Sequence, residues 1–146
     1  MTKHDETADE AALGLPVLFI VDEDPEARTA AETALRRRFA PDYRVLTADL
    51  PEAGLDVLAR LAEDGVAVAL VAADLHLPGM DGVEFLARAH ALHRCAMRAL
   101  LIEMDRHGTR IPFGALHSLQ HATALGRFDL WVLKGWNAPE ELLYPQ

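Results

Sequence analysis

Four side chains concentrate the reactive potential of this 146-residue chain: Asp22, Glu23, Asp74 and Lys134. Each follows a strand-like run, residues 17–21, 66–73 and 129–133 in turn, and Ile102-Glu103 closes a further run from residue 99. In an open α/β sheet, ligands bind outside the carboxyl ends of the strands, so these residues are placed at one edge. Carboxylates gathered there repel one another unless a cation lies between them. Oxygen ligands of this kind suit Mg²⁺, which takes one or two carboxylates together with carbonyls, waters and phosphate oxygens. An aspartate in that setting can act as nucleophile toward a phosphoryl donor. A lysine matches the charge that develops on the transferring oxygens. Lysine is scarce here: Lys3 and Lys134 stand against twelve arginines. The one in the folded body is therefore a candidate for work suited to a compact ammonium. Taken singly, Asp22 or Asp74 reads as well as a cap or turn residue, and only their joint placement favours chemistry.

The elements that must position these residues alternate along the chain. The apolar run 17–21, bounded by Pro16 and Asp22, fits a strand buried on both faces. Asp24-Pro25-Glu26 supplies an N-cap, an N1 proline and an early acid for a helix reaching about Phe39. Arg36, Arg37 and Arg38 load its C-terminal end favourably. A short strand is expected at 43–48, a helix at 51–64 with Leu55, Leu58 and Leu61 inward and Gly65 as its stop, and a buried strand at 66–73. Turn residues at 78–82 precede a helix at 83–93, and a fourth strand falls at 99–102. A polar loop follows at 103–112, then a helix at 115–125 stopped by Gly126. A fifth strand is expected at 129–133, and the last helix, from Pro139, is short. Five strands alternating with helices give an α/β, doubly wound parallel sheet. Residues 1–14 read as an acidic, mobile tail and 15–146 as one domain.

Composition narrows the function classes. Fourteen basic against 23 acidic residues give a formal charge of −9, which argues against nucleic acid or an anionic membrane surface as partner. The lone Cys95 excludes an internal disulfide and dithiol chemistry. No apolar run reaches the roughly 18–20 residues of a membrane span, and the polar N-terminus is unlike a secretory signal, so a cytoplasmic protein is expected. No glycine-rich phosphate loop follows the first strand, which argues against a nucleotide-binding reading.

Val-Asp22-Glu-Asp-Pro, Asp74-Leu-His-Leu-Pro-Gly-Met-Asp-Gly and Val-Leu-Lys134 together resemble the receiver domain of bacterial response regulators. The resemblance spans residues 17 to about 144. It implies the flavodoxin-like sheet order 2-1-3-4-5 and a two-component signalling role. Asp74 is then the phosphoacceptor. Asp22, Glu23, Asp74 and the backbone carbonyl of His76 hold Mg²⁺, and Lys134 contacts the phosphoryl group. It implies no turnover enzyme beyond self-phosphorylation from a donor and slow autodephosphorylation. A histidine kinase or a small phosphodonor is the implied partner, and homodimers are compatible with it. The stretches 108–116, 122–126 and 134–146 are similar, more narrowly, to the N-terminal receiver of proteins fused to a FAD-dependent, thioredoxin-reductase-like module. That makes a linked or partner flavoprotein an expectation, although no flavin or nucleotide motif lies in this chain.

Three positions depart from the receiver pattern. Ile102 stands where receivers place a Ser or Thr hydroxyl. Trp131 occupies the site of the aromatic switch residue, and packing explains a bulky residue there at least as well. Gly135 replaces the usual proline after the lysine, so a trans Lys134–Gly135 bond is expected. A second reading therefore stays open, a degenerate receiver that acts without phosphate as a dimerisation or docking module. A haloacid-dehalogenase-like phosphatase would use the spacing of Asp22 and Asp24, but the chain lacks the length for its cap and core. His117 and His121 at i, i+4, and the group His90, His93 and Cys95, read as surface, capping and packing residues rather than metal sites.

Overall fold

Val17–Val21 (β1) is apolar at every position and buried along its whole length, the mark of a central strand covered on both faces. The computed structural model describes residues 14–103, Gly126 and 128–134. After β1 come α1 (Pro25–Phe39), β2 (Arg44–Ala48), α2 (Pro51–Glu63), β3 (Val68–Asp74), α3 (Gly82–Leu92), β4 (Met97–Glu103) and β5 (Leu130–Lys134). All five strands are parallel, in the order β2-β1-β3-β4-β5, so the doubly wound sheet expected from the sequence is present in that order. A two-residue antiparallel ribbon, His76–Leu77 with Met80–Asp81, links β3 to α3 where the sequence suggested only a turn.

Side chains alternate across the sheet and divide the core in two. Val17, Phe19 and Val21 of β1 join Leu58, Leu61, Phe85, Leu86, Leu100 and Ile102 beneath α2 and α3. Leu18 and Ile20 join Ala31, Leu35, Val45, Ala72 and Leu101 on the α1 side. The small residues Ala31 and Ala34 let α1 lie close to the strands, and Leu35 supplies its main buried bulk.

The local signals explain the boundaries. The Asp24 carboxylate accepts from the Glu26 N–H at 3.1 Å, and Pro25 takes the first helical position of α1. At the end of α2, Gly65 adopts φ +71°, donates to Ala62 O, and leaves Val66 N–H bonded to Leu61 O. That pair of bonds holds Val66 against the helix end, so β3 starts at Val68, two residues later than its apolar run. Leu55 is only partly buried, whereas Leu58 and Leu61 are in the core as expected.

β4 is longer than its apolar segment. Met97 and Arg98 extend it at one end and Glu103, expected in a loop, at the other. Arg98 is tied across to Asp129 before β5. Its N–H donates to Asp129 Oδ2 at 2.8 Å, Asp129 N–H donates to Arg98 O at 2.9 Å, and the guanidinium lies 3.5 Å from Asp129 Oδ1. Gly126, with φ +72°, keeps the left-handed turn expected of a stop residue. The tail 1–13, the loop, helix and histidines between 104 and 125, and the last helix lie outside the described residues.

Candidate functional site

The sheet register brings the key acids together. β1 and β3 pair through Val21↔Ala73, so Asp22 and Asp74, each the next residue, sit at the same level at the carboxyl ends of neighbouring strands. Both carboxylate residues are buried, Asp22 at 1% and Asp74 at 7% exposure. They are the only acidic residues among the buried ones described. Taking two carboxylates out of water at one place is costly unless charge or hydrogen bonds compensate them.

Asp22 is held on two sides. Its Oδ1 accepts the Asp24 N–H at 3.0 Å, and its main-chain carbonyl accepts from Arg28 Nη1 at 2.8 Å. Its own N–H continues the ladder to Ala48 O at 3.1 Å. Around Asp74, Leu75 N–H donates to Leu101 O, and Gly82 N–H donates to Leu75 O at 2.8 Å. The first turn of α3 is thereby docked on the end of β3. Asp81 caps that helix, its Oδ1 accepting from Glu84 N–H at 2.8 Å.

The remaining candidate residues divide clearly. Glu23 is exposed beside the buried pair, so two of the three expected carboxylates are enclosed together rather than all three. His76 is exposed and sits in the ribbon opposite Asp81, two residues past Asp74. Ile102 is buried at 4% in the core that includes Phe85 and Leu100, so hydrocarbon fills this strand end. The level Asp74↔Leu101↔Val132 runs across three strands, and Lys134 closes β5 two residues beyond it, level with Glu103. The main chain thus brings Lys134 to the same edge as the acids. The side chains of Trp131 and Lys134, and all of Gly135, lie outside what is described.

Among the described residues, no three His, Cys, Asp or Glu side chains form a metal-binding group. Mg²⁺ keeps several waters and is commonly bound through one or two carboxylates, so the hard-oxygen pair Asp22 and Asp74 fits that ion. At the end of α3, His93 and Cys95 are placed differently. His93 caps the helix through its N–H to Ala89 O, its Nε2 lies 2.7 Å from Leu58 O of α2, and Cys95 is exposed.

Two contributors escaped the sequence reading. Arg28 reaches back six residues to the Asp22 carbonyl. Gly82 approaches Asp74 so closely that a Cβ would overlap its carbonyl oxygen. The spacing of Arg28 from the first strand end, and a glycine opening a helix, were the available signals.

No protein-family model and no curated protein matches the chain by sequence. No described helix is long and apolar enough to cross a membrane. Solved structures do match. One is a signal receiver domain of an HD domain-containing protein from Pseudomonas fluorescens, 26% identical, with TM-score 0.65, covering 89% of this chain and 83% of that one. Another is the chemotaxis response regulator CheY4 of Vibrio cholerae, 21% identical, with TM-score 0.63, covering 88% and 93%. A response regulator receiver domain from Clostridium thermocellum is 17% identical, with TM-score 0.66, covering 88% of each. The chain has the fold of CheY-like response regulator receiver domains.

Proposed function

We propose that the chain is a two-component receiver module that accepts a phosphoryl group on Asp74. The supporting observation is the buried pair Asp22 and Asp74, level with each other at the carboxyl ends of adjacent parallel strands in a receiver fold. In this reading an Asp74 oxygen attacks the phosphorus of a donor. The bond from phosphorus to the leaving group breaks and the leaving group departs with its electron pair, as acetate when the donor is acetyl phosphate, leaving an aspartyl phosphate. Asp22 and Asp74, with the His76 carbonyl and the nearby Glu23, would hold Mg²⁺, which when bound offsets negative charge on the carboxylates and the phosphoryl oxygens. Lys134 is assigned to the phosphoryl oxygens from the end of β5.

Such a module acts on something else: its charge change is the signal, not a product released in turnover. A linked or partner output module follows from this reading. One structural neighbour is the receiver of an HD domain-containing protein. For this chain, the similarities at 108–116, 122–126 and 134–146 favour a FAD-dependent, thioredoxin-reductase-like module instead. The test is incubation with acetyl phosphate and Mg²⁺, read by intact mass. A gain of about 80 Da that is lost in Asp74→Asn supports the reading. No gain, with no Mg²⁺ binding, leaves the phosphate-independent docking module in its place.

A further inference from the structure

We infer that Arg28 is a positioning residue of this site: it clamps the main chain of Asp22, the buried acid that stands level with Asp74 at the end of the neighbouring strand. The inference rests on the metal and phosphoryl reading above and adds a residue to it. Three observations carry it. Arg28 lies in the first turns of α1, yet its Nη1 turns back and donates to Asp22 O at 2.8 Å, at a partly buried contact. On the other side of the same residue, Asp22 Oδ1 accepts from Asp24 N–H at 3.0 Å. The residue held between these two bonds is 1% exposed and stands level with Asp74.

The chemistry follows from the geometry. At the β1–α1 turn the Asp22 N–H bonds Ala48 O, and two bonds involving side chains, Arg28 to Asp22 O and Asp24 N–H to Asp22 Oδ1, help to set its path. A charge-assisted bond from a guanidinium is short and directional, and it fixes the peptide plane that follows Asp22. The bond from Asp24 N–H to Asp22 Oδ1 holds the side chain of the same residue one peptide further on, so the two bonds together restrain both the main chain and the carboxylate of Asp22. Groups that orient a ligand from behind typically change metal affinity by about 10–100-fold when removed. The guanidinium also adds positive charge beside the acids, which by itself would weaken cation binding. The two roles have opposite signs, so they can be told apart.

The test compares the full chain with Arg28→Ala, Arg28→Gln and Arg28→Lys. Mg²⁺ dissociation constants are measured by titration calorimetry, and amide hydrogen exchange at Asp24 is measured without metal. Positioning requires about tenfold or greater weakening of Mg²⁺ binding in Arg28→Ala and Arg28→Gln, with substantial recovery in Arg28→Lys. It also requires faster Asp24 exchange in the first two variants, with circular dichroism unchanged. Equal or tighter Mg²⁺ binding in Arg28→Ala, or unchanged Asp24 exchange, overturns the inference while leaving the proposed function standing. If the parent chain binds no Mg²⁺, the proposed function fails, and the exchange measurement still decides whether Arg28 holds the turn.

Discussion

Gly82 lies against the main-chain carbonyl of Asp74. A Cβ at Gly82 would overlap that oxygen and come within 2.9 Å of the Asp74 carbonyl carbon and of Leu100 Cδ1. The neighbours are backbone and a buried core side chain, neither of which can swing aside cheaply. The helix N-terminus that follows Asp74 is therefore set by the absence of a side chain. Gly82→Ala is expected to cost about 2 kcal/mol, in the range of overpacked core sites. Urea unfolding followed by circular dichroism measures this, and a variant as stable as the parent would contradict the close approach.

Ile102 is buried near the carboxyl end of β4. Its side chain packs in the cluster with Phe85, Leu86 and Leu100. Ile102→Thr removes buried hydrocarbon and buries a hydroxyl, so a loss of about 2 kcal/mol is expected. A thermal melt that is unchanged would mean that Thr finds a partner at this strand end.

The two helices that flank β2 are started differently. α1 has the Asp24 cap, whereas Leu50 at the N-cap of α2 has extended backbone angles, no side-chain cap bond and 48% exposure. Leu50→Ser supplies the missing acceptor and is expected to stabilise the protein by about 0.5–1 kcal/mol. A lower unfolding midpoint would show that the exposed leucine contributes more by packing than it withholds by capping.

Asp129 joins β5 to the start of β4 through both carboxylate oxygens and its own N–H. Asp129→Ala is expected to cost about 2 kcal/mol, because it withdraws an acceptor from a main-chain N–H and a carboxylate from a largely buried guanidinium. Asp129→Asn keeps an acceptor for the Arg98 N–H and should recover part of that loss. Equal unfolding midpoints for parent and Asp129→Ala would show that the link carries no stability.

Much of this was legible along the chain because it is local. The run Val17–Val21, the Asp24-Pro25 start of α1 and the Gly65 stop of α2 each act within a few residues, and each stands where the sequence placed it. The strand order and the alignment of Asp22 with Asp74 followed from strand ends and the receiver-like motifs. What stayed hidden depends on distant partners. β4 was expected only over 99–102, since the charged Arg98 breaks the apolar run, and its start is tied instead to Asp129, thirty-one residues away. Asp22 and Glu23 are not told apart by the sequence, whereas in the structure Asp22 is buried and Glu23 exposed. Arg28 drew no reading from the sequence, because nothing along the chain shows a long side chain folding back on a carbonyl.

The most direct test locates the phosphoryl group as well as detecting it. After incubation with acetyl phosphate and Mg²⁺, borohydride reduction cleaves an aspartyl phosphate to homoserine, lowering that residue by about 14 Da in a sequenced peptide. The account requires this change at Asp74, its loss in Asp74→Asn, and its strong reduction in Asp22→Asn. A label found on another residue, or none under conditions that label a known receiver, would contradict it.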